Sequence, residues 1–162
     1  MPSGKVHNQI WKKNYWIAVL FSALCLVVLN DAVLPVFVLV GYFLGRYLSP
    51  DLDLIGINSD EGRMMRELKI IGVFLVMYFF LYAYLMRFVG IGRKGHRNFF
   101  SHFPGISTAI RLGWVVIPVA ILLTHFGVHI PTISYTIVLG IFAGLTIADG
   151  LHYLADRRVI DE

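Results

Sequence analysis

The sequence predicts an all-α, polytopic membrane bundle: four spanning helices plus one membrane-embedded or interfacial helix, with five spanning helices as the alternative. Two observations lead there. Of 162 residues, 57% are hydrophobic and only 15% are charged, whereas a soluble domain runs near 45–50% apolar and about 25% charged. Mean hydropathy is +0.72. One small core cannot bury that excess. A soluble globular enzyme, a disordered tail and a secreted disulfide scaffold are thereby excluded, and residues 1–162 read as a single membrane-embedded domain.

The elements follow from runs free of Asp, Glu, Lys and Arg. These are Asn14 to Asn30, Ala32 to Gly45 (reaching Leu48 if Arg46 snorkels), Ile70 to Met86, and Leu112 to Ala148. About 20 residues cross a bilayer, so the last run is too long for one span. It divides at His125 to Pro131, where polar residues and a proline make a turn. The predicted helices are 14–30, 32–48, 68–89, 106–127 and 132–156. Lys12 and Lys13 precede the first run, but Val27-Val28-Leu29-Asn30 offers no small-x-small cleavage site, so it reads as an uncleaved helix. The sole cysteine, Cys25, sits inside that run and reads as packing.

Charge sets orientation. Net charge is +4, from 14 Lys and Arg against 10 Asp and Glu. The basic residues are interleaved with acids, so they predict contact with anionic membrane lipids and no nucleic-acid patch. They gather around Lys5–Lys13, Arg46–Lys69, Arg87–Arg111 and Arg157–Arg158, while the turns at Asn30–Asp31 and His125–Pro131 have none. The positive-inside rule puts all four clusters in the cytoplasm only if segment 68–89 does not cross. The apolarity of that segment argues for a crossing, so both topologies stay open.

Four short motifs carry chemistry. Asp149, His152 and Asp156 fall on one helical face at i, i+3 and i+7, and His and Asp at i, i+4 reach one metal ion. Asp149 stands within the apolar register, where an acid is costly unless paired. In Ser49-Pro50-Asp51-Leu52-Asp53, Pro50 breaks the helix, and an extended turn lets Asp51 and Asp53 serve one ion. A capping turn is the plainer reading. His96, Arg97 and His102 lie in a basic loop, where Arg97 suits a phosphate. His7 follows Pro2-Ser3-Gly4 near the start.

In the four-crossing topology these motifs share the cytoplasmic face. Mixed oxygen and nitrogen donors suit Zn²⁺, Mn²⁺ or Fe²⁺. Gly41-Tyr-Phe-Leu-Gly45 and Gly140-Ile-Phe-Ala-Gly144 are both small-xxx-small faces. Gly45 precedes Asp51 by six residues and Gly144 precedes Asp149 by five. If the second and fifth helices pack there, the Asp51/Asp53 turn meets the Asp149/His152/Asp156 stripe.

The order PSGxxHxxI, SPDLDL, HRxxxSH and HYLAD, from Pro2 to Asp156, resembles a bacterial family of uncharacterised metal-binding membrane proteins, akin to inner-membrane metal-dependent hydrolases. The resemblance implies His7, Asp51, Asp53, His96, His102, His152 and Asp156 as metal ligands. It also implies a prokaryotic cytoplasmic membrane with the motifs on its inner side. The very apolar Ile70–Met86 departs from the family pattern.

The function expected is metal-dependent hydrolysis of a phosphoester, with a lipid as one candidate substrate. Asp53 or Asp149 would be the base and Arg97 the phosphate partner. A non-enzymatic metal-binding protein or scaffold is the alternative. A histidine-nucleophile lipid phosphatase fits less well, because Pro2-Ser3-Gly4 lacks an immediate histidine and an upstream basic motif. A transporter would want polar residues along a path through the helices, and the first four have few.

Overall fold

The charge-free runs fold as helices, and two charged stretches outside them do so as well. The computed structural model describes residues 4–48, 59–88, 103–129, 131 and 133–158; at 4–8, 59, 60, 133 and 156–158 it describes the backbone alone. Its helices are α1 (Gly4–Lys13), α2 (Tyr15–Leu29), α3 (Val33–Leu44), α4 (Ser59–Phe88), α5 (Ile106–His125) and α6 (Ile133–Arg158). Among the described residues there is no strand.

Local chemistry sets the boundaries. Lys12 and Lys13 occupy the last turn of α1, where cations complement the helix dipole. Asn30 closes α2 in the left-handed region (φ 49°), which asparagine tolerates better than most residues. Asp31 then caps α3, its Oδ1 accepting from the Val33 and Leu34 amides at 2.7 and 3.2 Å. Pro35 lies in the first turn of α3, where a missing N–H costs nothing. The resulting α2–α3 hairpin is tied across by Ser22 Oγ, which donates to the Pro35 carbonyl at 3.1 Å.

Helix α4 has two limbs. Lys69, at φ 53° and ψ −124°, breaks the helical path between a charged limb before it and an apolar limb after it. Gly72 lets the limbs touch, since a Cβ there would run into the Met64 carbonyl. Both limbs pack on α5: Met64 of the charged limb joins Val76, Phe79 and Tyr82 of the apolar limb in a buried cluster against Ile110, Trp114 and Val115. Tyr78 donates its hydroxyl to the Trp114 carbonyl at 2.6 Å.

The tightest seam joins α3 and α6. Gly144 abuts the Val38 carbonyl and the Tyr42 amide, Gly140 abuts Phe37 and the Leu34 carbonyl, Gly41 faces Ile141, and Gly45 faces Ala148. A Cβ at any of these four glycines would overlap its neighbour. Contact positions rise together along both helices, so α3 and α6 are parallel. The two small-xxx-small faces meet as expected, but one turn out of the expected register: Gly144 lies level with Gly41, and Gly45 with Ala148.

The number of spans differs from the expectation. Among the described residues, three helical stretches are long and apolar enough to cross a membrane: Glu61–Phe88, Ile106–His125 and Ser134–Ala155. The first two expected crossings shorten to Tyr15–Leu29 and Val33–Leu44. At 1.5 Å per residue they reach only about 22 and 18 Å, short of a hydrocarbon core about 30 Å thick. The segment expected to be embedded or interfacial is instead one of the three long ones.

Candidate metal site

One end of the bundle gathers the segments that flank every motif. Helix α1 is clasped there. The Trp11 indole stacks on Tyr42 at 5.3 Å, its Nε1 donates to the Tyr42 carbonyl at 3.0 Å, and the Tyr42 hydroxyl donates to the Trp11 carbonyl at 2.5 Å. Arg46, just past α3, lies 6.0 Å from the Trp11 ring. Its Nη2 pairs with Glu67 Oε1 on the charged limb of α4 at 2.9 Å. The Arg63 guanidinium donates to the Arg46 carbonyl at 3.1 Å. Tyr47 donates to the other Glu67 oxygen at 2.7 Å. That hydrogen bond, first among the causes, holds the Tyr47 phenol above its ordinary pKa.

A buried polar knot completes this end. Ser107, Thr108 and Arg111 share one face of α5 by their i, i+1, i+4 spacing, and all three are buried. They meet Asp149 of α6, which is 1% exposed. Thr108 Oγ1 and Arg111 Nη2 donate to Asp149 Oδ2, and Ser107 Oγ stands 3.4 Å from the same oxygen. Arg111 Nη1 donates to the Leu48 carbonyl in the turn after α3, and its Nε donates to the Ser107 carbonyl at 3.3 Å. The pairing removes the cost that an acid at position 149 would otherwise carry in an apolar register.

The predicted ligands sit around this knot in sequence. His152, half-buried, stands one turn beyond Asp149 on α6. The ring of Phe103, next in sequence to His102, packs edge-on against Tyr153 at 6.4 Å. Leu48, held by Arg111, is three residues before Asp51. His7 is on α1 one turn before Trp11, and Asp156 is on α6 two turns beyond Asp149; their side chains lie outside the described residues. Asp51, Asp53, His96, Arg97 and His102 lie outside them entirely. Among the described residues, no three His, Cys, Asp or Glu side chains come together as a ligand group.

Two residues at this end escaped the sequence reading. Arg111 falls within the predicted helix 106–127 but reads in the sequence only as part of the Arg87–Arg111 basic cluster; in the structure it is 4% exposed inside α5. The available signal was that Arg111 and Asp149 are the only charges bounding the long apolar run. Glu61 is fully buried in the first turn of α4, where the helix dipole favours an anion. The reading missed it because the charge-free criterion starts that helix near 68.

The described donors at this end are His152 and the already engaged carboxylate of Asp149, both on α6. Such donors fit a divalent metal. No curated protein and no solved structure matches the chain. A family model described as uncharacterized metal-binding protein (DUF2227) matches residues 2–161. Matched over almost its whole length, the chain belongs to this family of uncharacterized metal-binding proteins.

Proposed function

We propose that the chain is an integral membrane protein that binds a divalent ion, Zn²⁺ or else Mn²⁺ or Fe²⁺, at the end of the bundle carrying its motifs. We further infer that the bound site hydrolyses a phosphoester, with a membrane lipid as the favoured substrate. The observation that carries the metal site is the convergence of Leu48, Phe103 and His152 around the Arg111–Asp149 knot. Each flanks or belongs to a different His/Asp motif. His7, Asp51, Asp53, His96, His102, His152 and Asp156 form the ligand pool.

A metal in such a site lowers the pKa of bound water and polarises a phosphoryl oxygen. Arg97 would neutralise the phosphate. Of the two carboxylates considered as base, Asp53 is preferred, because Asp149 Oδ2 already accepts from Thr108 and Arg111. A lipid substrate is supported by a cleft of about 910 Å³ between α5 and α6. It is lined by Leu112, Val116, Leu139 and Phe142 among others, and its lining includes Ala109 and Gly113, which flank Arg111 in sequence. The basic clusters favour the cytoplasmic side for the motifs.

The same engagement of Asp149 favours a second reading, a metal-binding protein without catalysis. Purified protein should carry metal, and His152→Ala should lose most of it. Full occupancy in that variant would sink the site. Phosphoester turnover abolished by chelator and restored by Zn²⁺ or Mn²⁺ separates the enzyme from the non-enzymatic protein.

A further inference from the structure

We propose that Arg111 is the positioning residue of the metal site: one guanidinium holds the ends of three chain segments in the register that binding needs. The proposal rests on the metal reading above. Nη2 reaches Asp149, three residues before His152 on α6. Nη1 reaches the Leu48 carbonyl, three residues before Asp51. Arg111 itself stands in the second turn of α5, whose start follows His102. Its Nε donates back to the Ser107 carbonyl at 3.3 Å, so the plane of the fork is fixed from within α5.

Stability alone is a poor reason for this arrangement. A buried Arg–Asp pair bears two desolvation penalties, and an apolar pair of similar volume is often as stable or more so. What an apolar pair cannot do is aim. Arginine presents several N–H donors in a rigid plane, and here they are divided among the turn after α3, α5 and α6. Leu48 is bound through its carbonyl, so the contact fixes the backbone at position 48 whatever side chain stands there. On the other side, Thr108 and Ser107 converge on Asp149. The Asp149 carboxylate is thus fixed from α5, and with it the rotation of α6 that points His152. Groups that orient metal ligands without touching the metal change affinity by about 10- to 100-fold when lost.

The test uses the full chain in lipid nanodiscs, with Zn²⁺ affinity read by competition against a chromophoric chelator. Arg111→Met/Asp149→Leu removes both charges together and leaves none uncompensated. The expected result is a helical, monodisperse protein whose Zn²⁺ affinity falls about 10- to 100-fold. Arg111→Lys keeps the charge but loses the fork, and is expected to fall between the two. Spin labels at Ser49→Cys and Leu154→Cys, in a Cys25→Ser background without metal, read the register directly. Their distance distribution should be narrow with Arg111 present and broad in both variants. Wild-type affinity and an unchanged distribution in the double variant overturn the proposal. If the double variant does not fold, the same two results in Arg111→Lys overturn it. A wild-type protein that binds neither Zn²⁺ nor Mn²⁺ refutes the metal reading instead, and the spin-label distances still decide whether Arg111 sets the register.

Discussion

Trp11 and Tyr42 exchange hydrogen bonds: each side chain donates to the other's backbone carbonyl, at 3.0 and 2.5 Å, while the rings stack. This clasp ties α1 to the bundle. The helix is short and polar, and an isolated helix of ten residues is marginal in water.

Breaking one half of the clasp should loosen α1 before anything else. Tyr42→Phe removes one donor and leaves the Trp11 carbonyl short of a partner, at a cost of about 1–2 kcal/mol. Trp11→Ala removes the other donor and the stacked ring while keeping the residue-11 carbonyl as an acceptor, and should cost more. Limited proteolysis should cut near Lys12 and Lys13 in both variants while the rest of the chain stays protected. Equal protection in Trp11→Ala and wild type would falsify the anchoring role.

The α3–α6 seam should tolerate no added methyl. Gly144→Ala would place a Cβ against the Val38 carbonyl, which is backbone and cannot swing away. Such overpacking costs about 1–3 kcal/mol. Gly150→Ala, six residues on, meets nothing within 4 Å and should be neutral or gain up to about 1 kcal/mol from helix propensity. Thermal unfolding in detergent should rank Gly150→Ala at or above wild type and Gly144→Ala below it. The reverse order would contradict the packing.

Removing one partner of the buried charge pair should be worse than removing both. Asp149→Asn leaves the Arg111 cation buried without its counter-charge, a loss of about 3–5 kcal/mol. Arg111→Met/Asp149→Leu avoids that loss and should unfold at a higher temperature than Asp149→Asn. Thr108→Val removes one donor to Asp149 and should cost about 1 kcal/mol.

Sidedness is checked by labelling. In a Cys25→Ser background, cysteines at positions 53 and 96 should react with an impermeant reagent from the same side of the membrane. One at Val128, in the turn after α5, should react from the other. If positions 53 and 96 respond from opposite sides, no single metal site can use both motifs.

How far the sequence could be read depends on what each feature is made of. The apolar limbs, the Asn30–Asp31 turn and the two glycine faces are local patterns, and they fold where the pattern puts them. Helix α1 and the charged limb of α4 were missed because a search for charge-free runs is blind to helices held by partners. Glu67 pairs with Arg46, and Trp11 needs Tyr42, 31 residues away. The lengths of α2 and α3 were overestimated for a related reason. The charge-free run continues past each helix end, but the backbone stops at Asn30 and at the turn after Leu44. For Asp149, sequence logic required a partner. Naming Arg111 needed the fold, since nothing local links residues 38 apart. The ligands at 51, 53, 96 and 102 fall outside the described residues, so for them the motif spacing still carries the weight.

The parallel glycine seam also says something about how the molecule is made. Gly41 and Gly144 lie about 100 residues apart, so their contact closes late in synthesis, after the α5–α6 hairpin has left the ribosome. Until then the α2–α3 hairpin must wait with its smooth face uncovered, because its two short helices lack the partner that buries Val38 and Tyr42. Contacts of such long sequence separation are slow to form. The newborn N-terminal half is therefore the stage at which this protein is most exposed to proteases and chaperones. A lesion in the seam would show first as low yield, and only afterwards as a lost metal.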